Sequence, residues 1–253
     1  MTATRNPPAR EVSGITQARD FQPLGNWGMA DQTWGIYFHD EFLPYQAGTY
    51  TVTANTNGTA AVTPYDGGAV LLTTNSATPL ATDIASLQLN AAILQLSTSA
   101  RWFFGCRFSL GDATNSAWNC GLIQTTTSPF TVTDGIYFNK ASGNTYPTLS
   151  LVSGSAVQGT VDLSSILTMA NATAYDLAFA YDGYSDVLIW AGTGIFGAVP
   201  DQDRITLGPQ ARLSGVGSLT LSTVILNPTL ALQSGTPTSK TATVDFQYAA
   251  KAR

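Results

Sequence analysis

Residues 101–110 read Arg101-Trp102-Phe103-Phe104-Gly105-Cys106-Arg107-Phe108-Ser109-Leu110, and residues 118–125 read Trp118-Asn119-Cys120-Gly121-Leu122-Ile123-Gln124-Thr125. Trp102, Phe104, Cys106, Phe108 and Leu110 fall on alternate positions, as do Trp118, Cys120 and Leu122. Successive side chains of a strand point to opposite faces, so a period of two gives each segment one apolar face. Both segments are therefore read as half-buried strands joined by a turn at 111–117. A symmetric hairpin centred on Ala113 would set Cys106 opposite Cys120. The two cysteines are read as buried small hydrophobes, with a disulfide as the alternative that a reducing compartment disfavours.

Working outward, the same pattern gives strands at 36–39, 49–54, 59–64, 69–74, 87–96, 135–139, 148–153, 175–181, 186–191, 218–225 and 241–248. Turn signals separate them: Asn57-Gly58, Asp66-Gly67-Gly68, Gly111-Asp112, Asp134-Gly135, Ser142-Gly143-Asn144 and Asp182-Gly183. Many short strands with a turn every 8–12 residues or so indicate a sandwich or barrel. The 35 threonines, with abundant Val, Ile and aromatics, suit pleated half-buried surfaces. One short helix is expected at 163–170, capped by Asp162.

The 253 residues lie within the range of one large all-β domain. Residues 1–34 differ from the rest: they carry Arg5, Arg10, Arg19 and Pro7-Pro8 without alternation, and read as an extended N-terminal arm. Residues 35–253 read as the β-sandwich domain. Charged residues are 11% of the chain, against about 25% in ordinary soluble domains. The polar surface must therefore be Thr, Ser, Asn, Gln and Gly, as suits close-packed neighbours. Net charge is −5, and Lys140, Lys240 and Lys251 are the three lysines. Nucleic-acid binding needs clustered cations to displace phosphate counterions, so that class is set aside. Apolar runs fall far short of the roughly 20 residues that span a bilayer, and no apolar secretory segment opens the sequence. A soluble chain made in a cytoplasm is expected.

The search for chemistry is negative. No phosphate loop, CxxC pair, HExxH or GxSxG occurs. His39 is the single histidine, which excludes a multi-histidine metal site, and it reads as a strand-end residue. Glycoside cleavage needs two carboxyls about 5–10 Å apart. The two glutamates, Glu11 and Glu41, are thirty residues apart, and Asp66, Asp134 and Asp182 each precede Gly as turn residues. Tyr45, Tyr65, Tyr146, Tyr184 and Trp190 lie near turns or strand ends and could stack on sugars, although packing roles fit them better. No catalytic residue, metal ligand or cofactor site is assigned.

Several segments resemble a tailed-phage virion family. They are Asn57-Gly58-Thr59-Ala60-Ala61-Val62 through Asp66-Gly67-Gly68-Ala69-Val70-Leu71-Leu72-Thr73-Thr74, and Trp102-Phe103 to Arg107-Phe108. Thr131-Val132-Thr133-Asp134-Gly135-Ile136-Tyr137-Phe138 and the C-terminal Val244-Asp245-Phe246 to Arg253 complete the set. The resemblance covers about residues 38–253, with 191–212 and the arm matching least. It implies a concanavalin-A-like jelly roll of two antiparallel sheets and a capsid decoration, or cement, protein on the virion exterior. Its implied partner is the major capsid protein of the same virion, bound as a homo-oligomer such as a trimer. Arg5, Arg10 and Arg19 are the expected capsid contacts, because Arg makes forked, directional hydrogen bonds. The alternative function is a carbohydrate-binding or receptor-binding module of a phage fibre or tail.

Overall fold

The computed structural model describes residues 11–12, 15–16, 35–40, 42, 47–54, 61–65, 68–75, 77–196, 209–219 and 221–252. In chain order the strands are β1 (Glu11–Val12), β2 (Ile15–Thr16), β3 (Gly35–Asp40), β4 (Tyr50–Ala54), β5 (Ala61–Tyr65), β6 (Ala69–Thr73), β7 (Ile84–Leu89), β8 (Leu94–Gln95) and β9 (Trp102–Leu110). There follow β10 (Ser116–Gln124), β11 (Gly135–Lys140), β12 (Thr148–Ser153), β13 (Ala156–Asp162), β14 (Ala174–Tyr181), β15 (Val187–Gly192), β16 (Ala211–Leu213), β17 (Ile225–Ser234) and β18 (Thr241–Ala252). Helical structure among the described residues is two single 3-10 turns, Ala47–Thr49 and Val216–Ser218. No helix there is long and apolar enough to cross a membrane.

All pairings are antiparallel and make two eight-stranded sheets. One runs β13-β12-β11-β10-β17-β7-β4, with β8 added to β17; the other runs β16-β15-β14-β9-β18-β6-β5, with β3 added to β18. The expected two-sheet jelly-roll sandwich is thus the architecture found. The isolated β1–β2 pair falls within the expected arm, most of which lies outside the described residues, as does the Asn57-Gly58 turn.

Alternation builds the core. Trp102, Phe104, Phe108 and Leu110 of β9 face Trp118 and Leu122 of β10 in one buried cluster between the sheets. Phe108 stacks on Trp118 with ring centroids 4.8 Å apart. Phe179 of β14 sits 5.5 Å from Phe104 in its own sheet and 5.7 Å from Phe138 in the facing one. Burying such a side chain contributes about 1.5–3 kcal/mol.

The cysteine strands depart from the expected hairpin. β9 and β10 lie in different sheets, and residues 111–115 carry the chain across. Asp112 Oδ1 accepts the Thr114 and Asn115 N–H groups at 3.2 and 2.9 Å. Ala113 is drawn inside, its N–H bonded to Asn171 Oδ1 at 2.8 Å. The cysteines still meet, but across the core, as free buried thiols with sulfurs 3.5 Å apart. Native protein should therefore resist thiol labelling and take two labels only after denaturation. Rapid labelling of either thiol in native buffer would show that the strand is misregistered, since a slip of one residue exposes its whole inward face.

The expected helix at 163–170 is one turn. Ile166 and Leu167 both donate to Leu163 O at 2.9 Å, with Asp162 Oδ1 capping Ser164 N–H at 2.7 Å. The next turn fails because Met169 N–H bonds Thr145 O at 2.6 Å. That bond lets Leu163, Leu167 and Met169 all enter the core.

Candidate functional site

The outer face of the β9-bearing sheet carries the densest chemistry among the described residues. Alternation that sends Phe104 and Cys106 inward sends Phe103, Gly105 and Arg107 outward. On β14 it sends Asp176, Ala178 and Ala180 out, and on β15 Leu188 and Trp190. On β18 parity changes midway. The register jumps between Val244 and Phe246, so Asp245 is an extra residue opposite β9. Val244 points into the core, yet beyond the bulge Phe246 and Tyr248 join the outer cluster. A one-residue bulge is what re-aims them.

On this face Phe246 and Tyr248 stack at 5.4 Å, and Tyr248 stacks on Phe103 at 5.3 Å. Phe196, from the connection after β15, meets Tyr248 and Phe246 edge-on at 5.1 and 5.3 Å. Gly105 makes that approach possible: a Cβ there would lie 2.8 Å from the Phe196 ring. Trp190, one of the expected sugar-stacking aromatics, is buried here with Ile195. The face is therefore a second small core, joined by Ile195 and Phe196 from the residues just after β15.

One ion pair crosses it. Arg107 Nε and Nη2 donate to Asp176 Oδ1 and Oδ2 at 2.7 and 3.1 Å, and Phe196 N–H donates to the same Oδ2 at 2.9 Å. The carboxylate is fully buried. Its hydrogen bond holds the Arg107 pKa above the ordinary value, and the guanidinium rests 5.4 Å over the Phe246 ring. Asp245, exposed at the bulge, is pushed above the usual carboxylate range by partial desolvation, against the pull of Arg107. Nothing in the sequence pattern marks Asp176 or Asp245. The signal available was Arg107, a charge at an outward position between two aromatic-rich stretches.

The outer face of the opposite sheet is polar. Gln88 Nε2 donates to Thr229 Oγ1 at 2.8 Å and Gln124 O at 3.1 Å, while its Oε1 accepts Thr126 N–H at 3.0 Å. Asn119 Nδ2 reaches Pro129 O at 2.9 Å and Asn227 Nδ2 reaches Thr125 Oγ1 at 2.9 Å. These bonds clamp the β10–β11 connection over the sheet, so the amides are structural.

A third cluster lies at the inter-sheet crossing. Lys240 Nζ sits 2.6 Å from Asp112 Oδ2. Partial burial alone would raise the Asp112 pKa, but Lys240 and the Asn115 donors outweigh it and hold it at about 2. Lys140 is buried at the core end of β11, its ammonium donating to Ser116 O and, at 3.2 Å, to Ala141 O. Burial lowers its pKa from 10.5 to about 8, against the opposing charge of Asp112. A folded-state pKa below the unfolded one means that the unfolded chain binds the extra proton between those values. Stability due to Lys140 should therefore rise with pH from about 8 toward 10.5, by up to about 1.4 kcal/mol per pH unit. The urea midpoint of the native chain, taken relative to that of Lys140→Met so that the opposing Cys106 contribution cancels, should climb between pH 7.5 and 9.5. Parallel pH curves for the two proteins would refute the assignment.

Of the expected site residues, Arg5, Arg10, Arg19, Glu41, Tyr45 and Asp66 lie outside the described residues. His39 lies in β3, in register with Tyr248. Asp134 and Asp182 organise turns as read, accepting N–H from Gly154 and from Tyr184, Ser185 and Asp186. Tyr146 is half-buried, and Tyr184 is 82% exposed. Among the described residues no group of three or more His, Cys, Asp or Glu side chains could hold a metal ion.

The architecture is that of the concanavalin-A-like, lectin-type jelly rolls. Arcelin-5, a lectin-like defence protein from Phaseolus vulgaris, superposes with a TM-score of 0.55 at 11% identity, covering 87% of this chain and 99% of that one. An endo-1,3-beta-glucanase from Streptomyces sioyaensis gives 0.51 at 10% identity over 88% and 91%. A protein of unknown function from Shewanella oneidensis MR-1 gives 0.54 at 10% identity over 87% of each chain. Identities this low establish the fold and nothing finer. No family model matches the sequence, and no curated protein matches it.

Proposed function

We propose that this chain is a non-enzymatic structural virion protein, a decoration or cement protein that binds an assembled phage capsid and stabilises it. The observation that carries the non-enzymatic part is where the aspartates are spent. Nine are described: Asp40, Asp83, Asp112, Asp134, Asp162, Asp176, Asp182, Asp186 and Asp245. All but Asp245 accept backbone N–H groups or hold a cation. Exposed Asp245 lies near Asp176, but Asp176 is already bound by Arg107 and the Phe196 N–H, so these two are not the free carboxyl pair that glycoside cleavage needs. The capsid part rests on the resemblance over residues 38–253 and on the charge-poor composition. A protein that binds only the assembled shell stabilises that shell by mass action.

The arm is the proposed anchor, with Arg5, Arg10 and Arg19 as its contacts and β3 as its mooring to the sandwich. Purified protein should co-sediment with shells that lack it, and a chain without residues 1–20 should lose at least tenfold in affinity. Unchanged decoration by the truncated chain would move docking to the sandwich surface.

The exposed Tyr184 favours the second reading, a carbohydrate- or receptor-binding module. Asp182 fixes its turn, and the Arg212–Asp186 pair at 3.0 Å flanks it. Glycan-array binding abolished by Tyr184→Ala, with no shell binding, would establish that reading instead.

A further inference from the structure

We propose that Cys106 and Cys120 are a covalent modification site: in the presence of a disulfide oxidant such as oxidised glutathione they form a bond that staples the two sheets together. The juxtaposition is specific. The two sulfurs are 3.5 Å apart, on β9 of one sheet and β10 of the other, and neither residue is exposed. Each is fixed from both sides: Cys106 is in register with Leu177 and Gln247, and Cys120 with Phe138 and Leu230. Neither strand can turn its cysteine away without turning out a whole row of core residues. A disulfide bond is about 2.05 Å long, so the sulfurs must close by roughly 1.5 Å.

The chemistry balances without any group beyond the oxidant. One cysteine thiolate attacks a sulfur of oxidised glutathione, forming a mixed disulfide and expelling one glutathione thiolate. The second cysteine thiolate attacks the protein sulfur of that mixed disulfide and expels the other. Both thiol protons leave to solvent; the two cysteine sulfurs are oxidised and one glutathione disulfide is reduced to two thiols.

Burial sets the timing. Burial, with Cys120 beside it, pushes the Cys106 thiol well above its ordinary range, so little thiolate exists in the closed fold. Exchange therefore runs while the sandwich is open, during folding or transient unfolding. Once closed, the bond is shielded from reductants by the same burial. A chain folded in reducing surroundings stays dithiol, and one that opens in oxidising surroundings becomes linked. The link joins residues 14 apart and restricts the unfolded chain more than the folded one.

The full chain should be held in a glutathione redox buffer with enough urea to open it, then returned to native buffer. Three results are expected. Intact mass falls by two hydrogens, and a tryptic digest without reductant yields residues 102–107 joined to 108–140. The urea midpoint rises above that of the dithiol form and returns after unfolding in dithiothreitol. Cys106→Ala and Cys120→Ala should each stop at a single glutathione adduct. Persistent glutathione adducts on the native sequence, two free thiols after full unfolding and refolding, or a linked form with an unchanged or lower midpoint would each overturn the proposal. The native-sequence arms decide it even if a variant fails to fold.

Discussion

Asp176→Ala should lower the stability of the sandwich by about 3–5 kcal/mol, the range found when one member of a buried ion pair is removed. The carboxylate is fully buried and accepts three hydrogen bonds, two from Arg107 and one from the Phe196 backbone. Its loss deprives the guanidinium of its bidentate acceptor on an aromatic face and leaves the Phe196 N–H without its bond. The connection after β15 should loosen first, since Phe196 is where it is tied down. Replacing both partners, as Arg107→Met with Asp176→Leu, should recover most of the loss, because apolar pairs of similar volume often match buried ion pairs. Urea unfolding of the two variants reads this directly. A single-variant loss below about 1 kcal/mol would mean that the pair is solvated.

Phe179→Ala is the second large effect expected, at about 3–5 kcal/mol. Phe179 sits 5.5 Å from Phe104, 5.7 Å from Phe138 and 6.0 Å from Trp102, ring centroid to ring centroid, and so joins both sheets. Truncation leaves a cavity where the sheets meet and removes three aromatic pairs, each worth about 0.5–1.5 kcal/mol beyond area. Thermal unfolding gives the size of the loss. Tryptophan emission should also change, since Trp102 loses its edge contact. A loss under about 1.5 kcal/mol with unaltered emission would show that the core collapses around the gap.

Much of the sandwich was legible because strand alternation is a local signal. β9, β10, β11, β12, β14 and β15 lie close to where the period of two put them. Failures came where a long-range bond overrode local pattern. Residues 87–96 read as one strand but split into β7 and β8, and Asn90 Nδ2 bonds Gly48 O at 2.7 Å at the break. The strand expected at 218–225 is not found among the described residues: Val216–Ser218 form a 3-10 turn, and Pro228, a strand breaker by type, falls inside the strand that does form, β17. Its register with β7 stops at Thr229 opposite Gln88 and resumes with β8 at Leu226 opposite Leu94, so Pro228 faces a gap. β13 was missed because its side chains are mostly exposed; an edge strand shows no apolar alternation. The outer aromatic cluster was illegible for a different reason. It depends on the Asp245 bulge, and a bulge reverses parity without altering composition.

The pairing of β3 with β18 sets how the molecule would bear a pulling force. Gly35 lies opposite Ala252 and Asp40 opposite Gln247, so the start of β3 and the end of β18 lie together at one end of the ladder. Tension applied between the N-terminal segment and the C-terminus would open this pair like a zipper, loading one hydrogen bond at a time. Tension applied along β3 toward the far side of the body would load the whole row in parallel, a much stronger geometry. An anchor attached through the first 34 residues would hold best when its line of pull follows the strand, and would peel readily when pulled sideways.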